Sequence, residues 1–173
     1  MLHRVKALRG DAVVGRDGEA GSLDDVVFEG GRWDVRFVVV QTGSWLGGKM
    51  RGRKVLVSPA AFEGALRVSM TRDEVEHCPQ REAADPQLCR AAAIIGYDLE
   101  TPDGAIGHVS DFLIDDRTWA IADIVVDTRS WLPGGRRVIV PPSAGEHIDG
   151  AARKVRVRLS RDEIRNAPDA HAL

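Results

Sequence analysis

The sequence contains an internal repeat, in which residues 17–48 recur at 103–134, 86 positions later and without a gap. The two stretches share 12 identities among 32 positions, whereas unrelated stretches would agree at about one position in twenty. The shared residues include turn glycines, strand valines and a Ser-Trp-Leu motif that begins at Ser44 and again at Ser130. A duplication of this strength predicts two structural units with the same fold.

The repeat predicts two domains of roughly 80 residues each, rather than one domain of 173. We expect the first domain over residues 1–79, a linker over 80–93 and the second domain over 94–173. Domains this small bury only about 60% of the surface that their unfolded chains expose, so each is marginally stable alone. We therefore expect the copies to pack together as an intramolecular pseudo-dimer, in a chain that is itself a monomer or a homodimer.

Each copy is predicted to consist of short strands separated by glycine turns. Asp17-Gly18 indicates a tight turn, because glycine tolerates positive φ. Farther along copy one, Trp33, Val35 and Phe37 alternate with polar residues. This period of two places the three side chains on one face of a strand.

Both copies end with a helix-start pattern. Thr71 and Ser160 are each followed three positions later by a glutamate, which is the pattern of a capping box. A short helix is therefore predicted at the end of each copy, and Pro79 and Pro168 mark where each helix must stop.

The ordered set of these features resembles the PRC-barrel family, which is named after the photosynthetic reaction-centre H subunit. The resemblance runs from about Arg9 to Pro79 and again from about Ile94 to Pro168. It implies an all-β fold of two tandem small PRC-type barrels, each ending in a short helix, used for docking to proteins or RNA-containing particles. The family has no common catalytic residues, so the resemblance transfers none. In copy one it rests on Asp17-Gly18-x-x-Gly21, Trp33, Val39-Val40-x-Thr42 and Ser44-Trp45-Leu46.

The amino-acid composition argues against several classes of protein. The net charge is −2, and neither half is a basic nucleic-acid module: lysine plus arginine against aspartate plus glutamate gives 13 and 13 for residues 1–86, and 11 and 13 for 87–173. No apolar run approaches the 18 or so residues that span a bilayer. Two cysteines are too few for a disulfide framework and favour a reducing compartment. We expect a cytoplasmic protein.

Two features are candidates for binding an unidentified protein partner. The Ser-Trp-Leu motifs place Trp45-Leu46 and Trp131-Leu132 on glycine-containing loops, where a tryptophan can anchor an interface. The same motifs could instead close each barrel or join the copies. Asp123 aligns with Phe37, on a face predicted to be apolar, where an unpaired carboxylate is costly to bury. Either that face is exposed in copy two, or Asp123 contacts an arginine between the copies.

An alternative function is an RNA- or ribosome-associated assembly factor. Basic residues cluster in the longer loop of copy one and near two strands of copy two, where they could bind phosphates. Solvated faces of edge strands would carry the same charges. The candidate residues are Lys49, Arg51, Arg53, Lys54, Arg136, Arg137, Arg156 and Arg158.

No catalytic residue, cofactor or metal site is predicted. His77-Cys78 with Cys89 does not have the spacing of a compact zinc site. Asp115-Asp116 occupies a turn position, where aspartates bond their own backbone and stay solvated. The sequence therefore favours a non-enzymatic interaction module.

Overall fold

A computed structural model describes residues 1–46, 49–80 and 85–170, with the backbone alone described for 44–46 and 49–51. Each copy begins with a short strand and a one-turn helix, continues through a long bent strand, and ends with a short helix. In copy one the elements are β1 Leu2–Arg4, α1 Val5–Leu8, β2 Ala12–Gly15, β3 Gly18–Glu29, β4 Val35–Gln41, β5 Ser44–Leu46, β6 Lys49–Arg51, β7 Lys54–Val57 and α2 Arg72–Glu76. In copy two they are β8 Leu88–Arg90, α3 Ala91–Ile94, β9 Asp98–Thr101, β10 Gly104–Asp115, β11 Ala120–Asp127, β12 Arg137–Val140, β13 Gly145–Asp149, β14 Lys154–Val157 and α4 Arg161–Arg165.

Apart from the two-stranded pair β5–β6, the strands form two barrel-like sheets, one for each copy. Copy one has the order β2-β3-β4-β7, and copy two has the order β12-β11-β10-β9-β14-β13. Short 3₁₀ turns at Pro59–Ala61 and Pro142–Ala144 occupy equivalent places after β7 and β12. The predicted all-β fold is confirmed. No helix in the described part of the chain is long and apolar enough to cross a bilayer.

The first strand of each copy pairs with the long strand of the other copy. β1 lies antiparallel to β10, with Leu2 opposite Asp115, and β8 lies antiparallel to β3, with Glu29 opposite Leu88. We call β1 and β8 the exchanged strands. Because each sheet is completed by a strand from the other half, the copies form one intramolecular pseudo-dimer. The expected linker over 80–93 thus contains a strand and most of a one-turn helix, and both pack on copy one.

Two buried aspartates hold the exchanged segments in place. Oδ1 of Asp25 accepts hydrogen bonds from the backbone N–H of Val26 at 2.8 Å and of Ala92 at 3.1 Å. Oδ1 of Asp111 accepts the equivalent bonds from Phe112 at 2.8 Å and Lys6 at 3.2 Å. Only 4% and 3% of the two residues is exposed. Each carboxylate therefore connects a long strand to the helix that follows the other copy's exchanged strand.

The turns that precede β4 and β11 join the copies a second time. Trp33 and Trp119 stand at φ 63° and 52°, a left-handed conformation that is uncommon for a large side chain. The carbonyl of Trp119 accepts from Val35 N–H at 2.9 Å, and that of Trp33 accepts from Ile121 N–H at 2.8 Å. These reciprocal bonds account for the strained backbone, because each turn is fixed by the neighbouring copy.

A common hydrophobic core runs through both copies. At its centre the rings of Phe28 and Phe112 lie 5.4 Å apart. The repeat aligns Phe28 with Ile114 and Phe112 with Val26. At each of the two aligned positions, one copy has a phenylalanine and the other has a smaller aliphatic residue. The two halves therefore complement each other in volume, as close packing requires.

A β-bulge corrects the predicted face of β4. Val27 lies opposite Phe37 and Phe28 opposite Val35, so Arg36 is an extra residue on that strand. Val35 consequently packs in the common core, whereas Phe37 packs in a separate cluster on the outer face of the sheet. The prediction that Trp33, Val35 and Phe37 share one face is wrong, because a bulge reverses the alternation of side chains.

Candidate partner-docking surface

The loop of residues 128–136, here the Trp131 loop, is closed by one threonine. Thr128 N–H donates to the carbonyl of Arg136 at 3.1 Å, and the Thr128 hydroxyl donates to the same carbonyl at 2.9 Å. Arg136 N–H donates back to that hydroxyl at 3.1 Å. Only a glycine fits at position 135 beside these hydrogen bonds, because a Cβ there would lie 2.4 Å from the Thr128 carbonyl oxygen. These bonds give the loop a defined shape.

Trp131 and Leu132, the predicted partner-binding pair, have different surroundings. Trp131 is 41% exposed and belongs to the few large apolar residues on the described surface. Leu132 is half-buried and packs against the common core. The leucine thus secures the loop, and the tryptophan is left to contact solvent. The side chains of Trp45 and Leu46, the equivalent pair in copy one, lie outside the described residues.

An ion cluster borders the Trp131 loop on the side of β11. The Arg129 guanidinium forms a bidentate pair with Asp127, with its Nη2 at 2.6 Å from Oδ2, and Arg137 Nε lies 3.4 Å from the same oxygen. Arg129 holds the pKa of the Asp127 carboxyl well below its usual range. Arg129 was not among the predicted site residues. The signal for it was the replacement of Gln41 and Gly43 of copy one by an acid and a base.

Asp123 lies on the outer face of copy two. It stands opposite Leu113, whereas Ile114 faces Ile121, so Ala122 forms a bulge like that at Arg36. Asp123 is half-buried and forms no hydrogen bond or ion pair with any described residue. Burial raises the pKa of its carboxyl. The prediction that Asp123 shares a face with Ile121 is wrong, because the bulge moves Asp123 to the outer face of the sheet, where it forms no ion pair with a described arginine.

Several of the basic candidates for RNA binding are already paired. Lys54 Nζ lies 3.1 Å from Asp24. Arg136 donates to the carbonyl of Ala167 at 2.7 Å and lies 3.5 Å from Asp169. Arg137 belongs to the Asp127 cluster described above. Arg53 is exposed, and the side chains of Lys49 and Arg51 lie outside the described residues.

The two basic candidates near β14 differ in their surroundings. Arg156 is exposed and lines a shallow surface depression with Glu100 and Glu146. Arg158, one position beyond Val157, is exposed and forms no ion pair with any described carboxylate. The basic candidates are therefore divided among separate surfaces, and most of those described lie beside an acid.

The cysteines show no sign of activation. Cys78 and Cys89 are free thiols, and burial raises the pKa of each. A raised pKa lowers the fraction of thiolate, which is the nucleophilic and metal-binding form. In the described parts of the chain, no three side chains of the metal-binding types converge on one point.

Residues 2–76 match the family model described as PRC-barrel domain. This segment is a PRC-barrel domain. The matched segment runs from β1 through α2 and so includes the exchanged strand that pairs with copy two. The second copy ends in an equivalent helix, and its strands β8 to β12 follow the order of β1 to β4 and β7, but it has the strands β13 and β14 in addition and no hairpin like β5–β6 among its described residues.

Comparison with solved structures and curated sequences adds two findings. A structure of RimM from Pseudomonas aeruginosa, titled a putative 16S ribosomal RNA processing protein, is 15% identical, with 94% of this chain and 99% of that chain covered and a TM-score of 0.36. No curated protein sequence matches the chain.

Proposed function

We propose that this chain is a non-enzymatic interaction module, in which two PRC barrels form one rigid scaffold that docks a protein partner through the Trp131 loop. The proposal rests on the exposure of Trp131, which lies on a loop that the hydrogen bonds of Thr128 close. A tryptophan can bury about 150–250 Å² on binding, and such residues contribute most of the energy of many interfaces. The two free thiols are compatible with the cytoplasm.

The hydrogen bonds of the loop support docking, because less backbone entropy is lost when a loop that already has a defined shape is covered. Leu132 ties the loop to the core, and the Arg129–Asp127 pair holds its first residues. A flexible loop would lose part of its binding energy to ordering. The same contacts make Trp131 a good site for mutation, since truncating an exposed side chain leaves the core intact.

The test is affinity capture of the tagged protein from its own cells, comparing wild type with Trp131→Ala. Val14→Ala is the matched control, since Val14 is 38% exposed on copy one. We expect the same partner to be lost with Trp131→Ala and kept with Val14→Ala. With purified partner, the loss at a hot spot is about 2 kcal/mol or more, roughly thirtyfold in Kd. Unchanged capture by Trp131→Ala would refute the docking surface.

The RNA alternative makes a different prediction in the same experiment. Binding through phosphates weakens steeply as salt rises and disappears after ribonuclease treatment. A partner that survives ribonuclease and moderate salt but requires Trp131 supports protein docking. A capture that depends on RNA and ignores Trp131 favours the assembly-factor function.

A further inference from the structure

A cleft of about 590 Å³ lies between the two copies, and it is separate from the Trp131 loop. One wall is the turn of copy one with Arg32 and Trp33, and the other contains Pro142, Gly145 and Arg158 of copy two. We call it the inter-copy cleft. Its apolar part comes from the tryptophan, the prolines and small residues of β11, and two arginines line it from opposite copies.

The cleft breaks the pseudo-symmetry of the molecule. Gly145 pairs with Val157 as Phe62 pairs with Val68 in copy one, so the glycine takes the place of the phenylalanine. Phe62 packs on Trp119 with ring centroids 5.0 Å apart. At Gly145 a Cβ would lie 2.7 Å from Cζ2 of Trp33, so here the indole edge lies directly against the backbone. The indole of Trp33, which is only 7% exposed, thus takes up the space beside Gly145 that the Phe62 ring occupies in the other half.

The two arginines are also specific to this side. Arg158 N–H donates to the carbonyl of Ala144 at 2.8 Å, and Ser69 N–H makes the same bond to Ala61, so serine is the equivalent of Arg158. The repeat places Thr118 at the position of Arg32. Arg32 meets Glu29 at a distance of 3.9 Å while most of its side chain stays exposed, and Arg158 has no described carboxylate partner. The cleft therefore has two arginines, whereas the equivalent place has Arg117 alone, at the position of Gly31.

We propose that the inter-copy cleft binds an acidic segment of a protein, with an Asp or Glu carboxylate between Arg32 and Arg158 and a neighbouring aliphatic side chain against Pro142. Guanidinium groups form strong paired hydrogen bonds with carboxylates. An RNA strand is less suited, because Trp33 has one face stacked on Phe28 and its edge against Gly145, and stacked bases need an open aromatic face. The proposal rests on the proposed function in that the partner is a protein, but it uses a different surface from Trp131.

The experiment is selection from a random octapeptide phage library on the intact chain, with depletion on an Arg32→Thr/Arg158→Ser variant. These substitutions copy Thr118 and Ser69, which the fold already accepts at the equivalent positions. Arg156→Ser removes an exposed arginine from another surface and serves as the control. We expect enriched peptides to share an Asp or Glu beside an aliphatic residue. The best peptide should bind the double variant at least tenfold more weakly and the control within twofold.

Two further measurements sharpen the result. Replacing the shared acid by its amide should weaken binding as much as the double variant does, and Arg158→Glu should prefer a lysine at that position. Enriched peptides without a carboxylate, equal binding by the double variant, or displacement by an rU8 oligonucleotide at lower concentration than the peptide would each overturn the proposal. Trp131→Ala should keep peptide binding. The experiments can therefore refute the inter-copy cleft and the Trp131 surface independently of each other.

Discussion

Asp111 connects the two halves, and replacing it tests whether the exchanged segment depends on one oxygen atom. Asp111→Ala removes the acceptor of the backbone N–H groups of Phe112 and Lys6. Asp111→Asn keeps an oxygen in the same place and removes the charge. We expect the alanine variant to be strongly destabilised and the asparagine variant to remain close to wild type.

The magnitude follows from the two donors. Leaving the fully buried Phe112 N–H without an acceptor costs about 1–3 kcal/mol. Lys6 is exposed and its N–H can reach water, so it adds about 1 kcal/mol or less. The free energy of unfolding should fall by about 1–4 kcal/mol, which for a chain of this length lowers Tm by about 2–16 °C. Asp111→Asn should stay within about 1 kcal/mol, because it also avoids burying a charge.

Burial raises the pKa of the Asp111 carboxyl above its usual range, against the opposing effect of its two backbone hydrogen bonds. The folded state therefore holds the proton more tightly than the unfolded state. The contribution of Asp111 to stability falls as pH rises from the unfolded pKa through the raised one. The stability of Asp111→Asn relative to wild type should accordingly increase over that interval.

Thermal unfolding followed by circular dichroism measures these differences, and hydrogen exchange at the Lys6 amide locates them. The alanine variant should expose β1 and α1 to exchange before the rest of the molecule. Wild-type stability in Asp111→Ala, or equal losses in the alanine and asparagine variants, would show that the carboxylate is not the connection described here.

Three other changes probe the loop and its neighbours. Gly135→Ala should lower Tm by several degrees in a thermal melt, because its Cβ would meet the Thr128 carbonyl oxygen at 2.4 Å. Thr128→Val should cost about 1–2 kcal/mol in chemical denaturation and speed hydrogen exchange around Trp131. Arg129→Gly should raise the depressed pKa of Asp127. The stability that wild type holds above the unfolded pKa of that carboxyl and loses as pH falls should shrink, as melts between about pH 2 and 6 would show.

Much of the architecture follows from the repeat. Glycine turns, valine-rich strands and the residues at Thr71 and Ser160 predict the all-β fold and the closing helices that the structure contains. The Thr71 hydroxyl accepts from Glu74 N–H, and Ser160 and Glu163 form a complete capping box. These signals are local, so they can be interpreted without knowing which surfaces meet.

The bulges and the exchanged strands lie outside such local patterns. A bulge at Arg36 or Ala122 leaves no mark in the alternation of residues, yet it moves Phe37 and Asp123 to the outer face. Nothing in the sequence of Leu2–Arg4 indicates that this strand pairs with β10. Trp33 and Trp119 are poor choices for positive φ by propensity, and only the reciprocal bonds between copies explain them. Which arginines are neutralised likewise depends on contacts distant in sequence.

The exchanged strands have a consequence for the order in which the chain can fold during synthesis. β3 meets its partner β8 only after Leu88–Arg90 has been made, and β1 must wait for residues 113–115 of β10. Contacts so distant in sequence are slow to form, and unpaired strand edges are prone to aggregation until they do. The first half therefore has to persist with β1 unpaired until β10 is translated, and premature termination inside β10 would leave β1 without its native partner.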